Sequence, residues 1–360
     1  MKSGLYSSKN NISWCRTSGQ GDFMPSGRGE RNQKLHVHIK NNRAGDLVFR
    51  TTPERYAAAE KRHADVTPYI ETCIDWDLDN FYPSMAHANV LMTWDLPTER
   101  IREWAPNLKW IHIIGAGVEH LAPFDWLPRG VTLTNNAGIH IEKTAEFVGM
   151  ALQMLNHHLP DFFTDQRKGY WNPIYSTPIS GKTVAVIGVG KMGAASAKRA
   201  KQMGLRVLGI RRNGRSARYV DQMYRPDQLK LVLPEADFII FNTPLTPETA
   251  GWIGRKEIKM MKPGAGLINL GRGAVIDHQA LAEALTSRLL GGAILDVTDP
   301  EPLPLDSYLW HVPNLIITPH ISSDDNASYA PLTLDLLFRN LRRFHAGKSL
   351  VNRVNPKLGY

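Results

Sequence analysis

A chain of 360 residues exceeds one ordinary domain and suits two. Its 42% hydrophobic and 21% charged residues supply two cores, which excludes a disordered chain and removes any need for disulfide or zinc staples. The net charge of +9 admits nucleic acid, an acidic membrane or an anionic small molecule as partner.

The basic residues are scattered apart from clusters at 198–201, 211–218 and 339–343, and no aromatic-interleaved basic stretch accompanies them. A field that gathers an anionic cofactor and substrate is therefore the economical reading, with no nucleic acid as partner. Apolar runs such as VAVIGVG (184–190) are strand-sized and far short of a membrane span. Cys15 and Cys73 show no CxxC spacing and read as incidental thiols, which points to a reducing, cytoplasmic location. The 13 histidines include no HExxH, and no metal site is expected.

In chain order, residues 1–33 are rich in Ser, Asn, Gly and Arg and read as a poorly ordered leader. LHVHI from Leu35, ANVLMTW (88–94) and LKWIHII (108–114) read as strands with helix-compatible stretches between them, which predicts a small parallel α/β domain. Phe147, Met150, Ala151 and Met154 recur at helical spacing, so a helix is predicted from about Thr144 to Leu155. Residues 167–181 read as an irregular connection. Six strands follow, TVAVIG, RVLGI, FIIFN, GLINL, AILDV and LIIT, in the βαβ alternation of a dinucleotide-binding domain. The segment Tyr329 to Phe344 is predicted helical and is expected to return to the first domain.

Three motifs carry chemistry. Gly188-Val-Gly190-Lys191-Met192-Gly193 follows a buried strand and opens a helix, the context that a phosphate-binding fingerprint requires. Gly188 permits the tight turn, Gly190 the approach of a pyrophosphate, and Gly193 close helix–strand packing, with the phosphates at a helix N-terminus. After RVLGI, where an NAD enzyme places an acid for the ribose 2′-hydroxyl, this chain has Arg211 and Arg212. A guanidinium grips a 2′-phosphate bidentately, a contact of about 1.5–3 kcal/mol. NADP is therefore the expected cofactor over NAD.

The third constellation is Arg272 after GLINL, Asp296 and Glu301 after AIL, and His320 after LIIT. In an open α/β sheet these positions converge beyond the carboxyl ends of the strands, where ligands bind. Reduction of a keto group places negative charge on the carbonyl oxygen, which needs a proton donor and a nearby positive charge. A His paired with a carboxylate, beside an Arg, meets that need.

From about Leu35 to Tyr360 the chain closely resembles the D-isomer-specific 2-hydroxyacid dehydrogenase family, in its glyoxylate/hydroxypyruvate reductase-like form. The resemblance runs through AGVEHL (116–121), Thr144-Ala-Glu146, Gly169-Tyr-Trp171, GKTVAVIGVGKMG, NTPLTPET (242–249), INLGRGAVID (268–277), LDVTDPEPLP (295–304), NLIITPHIS (314–322) and NPKLGY. It implies an α/β fold in which a Rossmann dinucleotide-binding domain (140–320) is inserted into a smaller flavodoxin-like substrate domain (34–139 plus 321–360). It also implies His320 as general acid–base paired with Glu301, and Arg272 as anchor of the substrate carboxylate and polariser of the keto oxygen. The backbone at Ala116, Gly117 and Val118 would hold that carboxylate. Thr243, Pro244 and Asp296 join the glycine fingerprint as cofactor contacts, Asp296 at the nicotinamide carboxamide, and the assembly would be a homodimer.

Three departures stand out: Ile321-Ser-Ser-Asp-Asp after the His, the Arg pair in place of an acid, and the leader. Glu301, rather than Gln, sets the chain apart from the formate dehydrogenase branch. Trp94 and Trp310 read as core or interface aromatics before pocket walls. The alternative function is a dinucleotide-sensing binding protein of the corepressor type, which keeps the same Arg–Glu–His set.

Overall fold

The computed structural model describes Trp14–Cys15 and residues 34–360. Apart from those two residues, the expected leader lies outside the described residues. The chain divides into two compact units, Met1–Ile139 with Asp325–Tyr360, and His140–Asp324. The second boundary lies beyond the 320/321 junction expected from the sequence, because the backbone N–H groups of Ile321 and Ser322 are tied to the Asp296 carboxylate of the inserted unit.

The first unit holds β1 (Trp14–Cys15), β2 (Leu35–Asn41), β3 (Ile70–Trp76), β4 (Val90–Thr93), β5 (Trp110–Ile113) and β6 (Thr132–Asn135). Their order is β1-β3-β2-β4-β5-β6, with β1 antiparallel and the other neighbours parallel. The five parallel strands have the flavodoxin-like order. β3 escapes the sequence reading because Glu71 and Asp75 interrupt its apolar pattern. Asp75 is nevertheless buried, its charge satisfied by the N–H groups of Trp76 and Asn80 at 2.8 Å each.

β1 places Cys15 opposite Cys73 in register, and Cys73 is disulfide-bonded. The reading of incidental thiols is thereby corrected, and with it the ground for expecting a reducing compartment. The pairing is long-range, so no local spacing announces it.

The C-terminal helix Tyr329–His345 packs on this unit, as expected. Leu334, Leu337, Phe338 and Leu341 repeat at i, i+3, i+4 and i+7 and join Val37, Ile39, Val90 and Met92 in one core.

The inserted unit has β7 (Thr183–Ile187), β8 (Arg206–Ile210), β9 (Gln222–Tyr224), β10 (Phe238–Phe241), β11 (Gly266–Asn269), β12 (Gly292–Leu295) and β13 (Leu315–Ile317). All are parallel, in the order β13-β12-β11-β10-β7-β8-β9, a doubly wound Rossmann sheet with a seventh strand. Both faces are covered, which is why its strands read as continuous apolar runs. Val184 and Val186 point into a core with the helix Ile141–Asn156, while Ala185 and Ile187 point into the opposite core. β9 was not expected from the sequence: QMY is a three-residue edge strand, too short to show a period. Among the described residues no helix is long and apolar enough to cross a membrane.

Candidate active site

The carboxyl ends of β7, β8, β10, β11, β12 and β13 carry nearly all the residues singled out in the second half of the chain. Gly188 turns out of β7 with φ +95°, where a side chain would be strained. A Cβ there would also lie 2.9 Å from the Asn242 backbone. Gly190 caps the helix Lys191–Gln202, whose first turn contains Lys191 and Met192. Gly193 faces back, and a Cβ on it would come within 2.2 Å of the Gly188 carbonyl oxygen. Gly190 is different: nothing stands within 4 Å of its Cβ direction, so the backbone opens there to a ligand.

At the neighbouring strand end, Asn242 Oδ1 and Thr243 Oγ1 are buried without a hydrogen-bond partner, and Pro244 follows. Buried polar atoms without partners are costly unless a ligand completes them. The open glycine and these two oxygens therefore fit a dinucleotide. After β8, Arg211 forms no side-chain hydrogen bond or ion pair among the described residues, whereas the Arg212 guanidinium is paired with Glu248.

The loops at the other side of the sheet are packed backbone against backbone. A Cβ on Gly271 would lie 2.5 Å from the Thr243 carbonyl oxygen. One on Gly273 would lie 2.1 Å from the carbonyl carbon and oxygen of Thr298. Arg272 is held between these glycines: its Nη1 donates to the Gly271 carbonyl at 2.7 Å, and its own carbonyl accepts from Asn269 Nδ2 at 3.0 Å.

Glu301 follows on the loop that Gly273 supports. Its Oε1 accepts from the Thr298 N–H at 2.9 Å, and its Oε2 meets His320 Nδ1 at 2.8 Å. The Thr298-Asp-Pro-Glu301 spacing is that of a side chain reaching back to a backbone N–H, a signal that identifies Thr298 as the residue orienting Glu301. His320 sits just beyond β13 with φ +54°. Its N–H donates to the carbonyl oxygens of Asp296 and Thr318.

Asp296 is buried and its carboxylate accepts three bonds: from Thr318 Oγ1 (2.6 Å), Ile321 N (2.9 Å) and Ser322 N (2.9 Å). Asp296, expected as a cofactor contact, thus clamps the histidine loop, a role that no sequence pattern displays.

The electrostatics follow from the pairing. The hydrogen bond to Glu301 raises the His320 pKa above its ordinary value, against burial and the charge of Arg272, which lower it. For Glu301 burial is the largest influence and raises the carboxyl, but the bonds from His320 and Thr298 and the charge of Arg272 outweigh it, leaving the pKa lowered. Nδ1 is committed to Glu301, which leaves His320 Nε2 to exchange a proton with a ligand.

The structure thus brings Arg272, Glu301 and His320 together. Ala116, Gly117 and Val118 lie in the other unit, just after β5. Trp94 is 41% exposed in that unit and stacks on His120 at a centroid distance of 4.2 Å. Trp310 is also part-exposed and donates from Nε1 to the Pro304 carbonyl, so neither Trp is core.

Two substitutions test this arrangement. Gly273→Ala forces backbone apart at Thr298 and is expected to destabilise the protein by about 1–3 kcal/mol. It should also lower the His320 pKa as the 298–301 loop moves; chemical denaturation and NMR titration of the imidazole check both. Glu301→Gln removes the partner that raises His320, so the imidazole midpoint should move to lower pH, and an unchanged midpoint would refute the pairing. His320 contributes stability below its unfolded pKa that is lost as pH rises through its raised folded value. Glu301 contributes above its unfolded pKa, and this is lost as pH falls through its lowered folded value.

Residues 148–322 match the family model described as D-isomer specific 2-hydroxyacid dehydrogenase, NAD binding domain. The chain is 32% identical to the glyoxylate reductase of Thermococcus litoralis over 284 residues, 74% of this chain and 83% of that one. It is 34% identical to the glyoxylate reductase of Thermococcus gammatolerans over 263 residues, 71% and 78% of the two chains. Among solved structures, the NADPH-dependent glyoxylate/hydroxypyruvate reductase of Sinorhizobium meliloti, in complex with NADP and sulfate, superposes with a TM-score of 0.76 at 26% identity, covering 91% of this chain and all of that one. A D-isomer specific 2-hydroxyacid dehydrogenase from Xanthobacter autotrophicus Py2, in complex with NADPH and MES, gives 0.75 at 27% identity with the same coverage. The chain belongs to the D-isomer-specific 2-hydroxyacid dehydrogenase family and is an NAD(P)-dependent oxidoreductase acting on CH–OH groups.

Proposed function

We propose that this protein reduces a small 2-keto acid of the glyoxylate or hydroxypyruvate type to its D-2-hydroxy acid, with NADPH preferred over NADH. The observation that carries the proposal is the His320–Glu301 hydrogen bond within the field of Arg272, at the same sheet edge as the glycine cradle. The reduced nicotinamide, when bound, supplies the hydride to C2. The protein supplies the rest: His320 Nε2 gives its proton to the carbonyl oxygen, and Glu301 stabilises the protonated imidazole before transfer. Arg272 binds the substrate carboxylate and polarises the keto oxygen. In the oxidative direction neutral His320 accepts the hydroxyl proton.

Gly188, Gly190, Lys191, Met192 and Gly193 would hold the pyrophosphate, with Thr243, Pro244 and Asp296 lining the remainder of the dinucleotide. Arg211 is the first candidate for the 2′-phosphate, since its guanidinium has no other partner among the described residues. Arg212 must exchange Glu248 for the phosphate, at small cost, because the pair is exposed. The exposed aromatics Tyr170, Trp171 and Tyr175 support a homodimer, and sedimentation as a monomer would count against it.

The test follows absorbance at 340 nm with NADPH or NADH against glyoxylate, hydroxypyruvate, pyruvate and longer 2-keto acids. The expected outcome is turnover that is faster with NADPH and abolished in His320→Ala. Arg211→Asp should cost about ten- to a hundredfold in kcat/KM with NADPH, and a gain in NADPH preference would reject the role of Arg211. Tight dinucleotide binding without turnover of any keto acid would favour the dinucleotide-sensing alternative.

A further inference from the structure

The first unit contains a loop whose backbone is held from behind. Ile114, Gly115 and Ala116 leave the end of β5, and the carbonyl oxygens of all three are engaged by side chains or backbone of the same unit. The Ile114 carbonyl accepts from Asn136 Nδ2 and from the Tyr329 hydroxyl, the latter at 2.8 Å. The Gly115 carbonyl accepts from the Asn136 N–H at 2.9 Å, and the Ala116 carbonyl from Asn135 Nδ2 at 2.7 Å. Among the described residues, the N–H groups of Ala116, Gly117 and Val118 have no acceptor, and Ala116 is exposed. Fixing a carbonyl fixes its peptide plane, and hence the direction of the next residue's N–H, so the held Gly115 and Ala116 carbonyls aim the N–H groups of Ala116 and Gly117, and the held Ile114 carbonyl fixes the peptide before them. Successive free N–H groups fixed in this way form an anion-binding concavity.

We infer that Asn135, Asn136 and Tyr329 are positioning residues that pre-organise the backbone at Ala116 and Gly117 to bind a carboxylate. The inference rests on the reading of that loop, implied by the family resemblance, as a site that shares the substrate carboxylate with Arg272 in the proposed reaction.

The orientation of each Asn is itself determined. Asn135 Oδ1 accepts from the Ala137 N–H at 3.1 Å, which leaves Nδ2 for the Ala116 carbonyl. Asn136 Oδ1 faces His112 Nε2 at 3.0 Å, while His112 Nδ1 meets Thr134 Oγ1 at 2.8 Å. Burial pushes the His112 pKa down to about 4, so the imidazole is neutral near pH 7 and a single tautomer fits: Nε2–H donates to Asn136. Asn136 Nδ2 is then left to donate to Ile114 and to Thr333 Oγ1 on the C-terminal helix. Preformed donors bind an anion without the cost of ordering the loop at each encounter. Their loss should therefore appear in substrate affinity before it appears in the chemical step.

The experiment titrates oxamate, a stable carboxylate analogue of a 2-keto acid, into the NADPH complex of the wild type, Asn135→Ala and Tyr329→Phe, alongside KM and kcat for glyoxylate. Asn135→Ala should weaken oxamate and raise KM by about 5- to 10-fold, with kcat within about twofold and NADPH affinity unchanged. Tyr329→Phe keeps the ring and loses only the hydroxyl, and should shift both constants the same way by about two- to threefold, which keeps the test decisive if Asn135→Ala does not fold. Unchanged oxamate affinity in the variants, or a parallel loss of NADPH affinity, overturns the inference while leaving the proposed reaction standing. A wild type that binds no oxamate overturns the reading of the loop as a carboxylate site.

Discussion

The histidine loop depends on one buried carboxylate. Asp296 lies at the carboxyl end of β12, is almost wholly removed from solvent, and receives three hydrogen bonds from the segment that follows β13. A carboxylate in that position is tolerable only when its oxygens are satisfied, and each charge-assisted bond is worth about 1.5–3 kcal/mol. The chain meets that demand by wrapping residues 318–322 around the anion. The wrapping carries His320 through a left-handed backbone conformation that a non-glycine residue seldom adopts. The strain at His320 and the satisfaction of Asp296 are one arrangement, which fixes where the imidazole stands before any ligand arrives.

Around that anchor the loops register through glycine. Gly188 rests on Asn242, Gly271 on Thr243, and Gly273 on Thr298. A methyl group at any of these positions would meet main chain, which cannot rotate away as a side chain can. The strand ends therefore sit at backbone-contact distance, and Glu301 is brought to His320 by stacked main chain and a single N–H from Thr298. Gly190 is the counter-example that gives the pattern its meaning: nothing meets its Cβ direction, and its open side is where the proposed reading places phosphate.

These physical facts explain what was legible in the sequence. The Rossmann strands announce themselves because both faces are buried, so TVAVI and FIIF read as unbroken apolar runs. The fingerprint and the Arg–Glu–His set could be placed because each follows such a strand. β3 was hidden by Asp75, a charge whose partners are backbone N–H groups that no pattern displays. β9 was hidden by its length, and the disulfide at Cys73 by the long-range pairing of β1 with β3. The clamp by Asp296 was invisible for a related reason. Its partners are two backbone N–H groups and a threonine hydroxyl more than twenty residues away, and only the fold brings them together.

The balance of charges at His320 completes the argument. Glu301 and, more weakly, Asp296 favour the imidazolium, whereas burial and Arg272 oppose it. The acid alone would raise the imidazole pKa further. The guanidinium alone would lower it. On the proposed reading the same residue must donate in reduction and accept in oxidation, which requires a pKa within reach of the working pH. On that reading Arg272 does more than attract an anion: its charge opposes Glu301 at His320. A substrate carboxylate bound to Arg272 would mask that positive charge and strengthen the protonated form when a carbonyl oxygen stands ready to receive the proton.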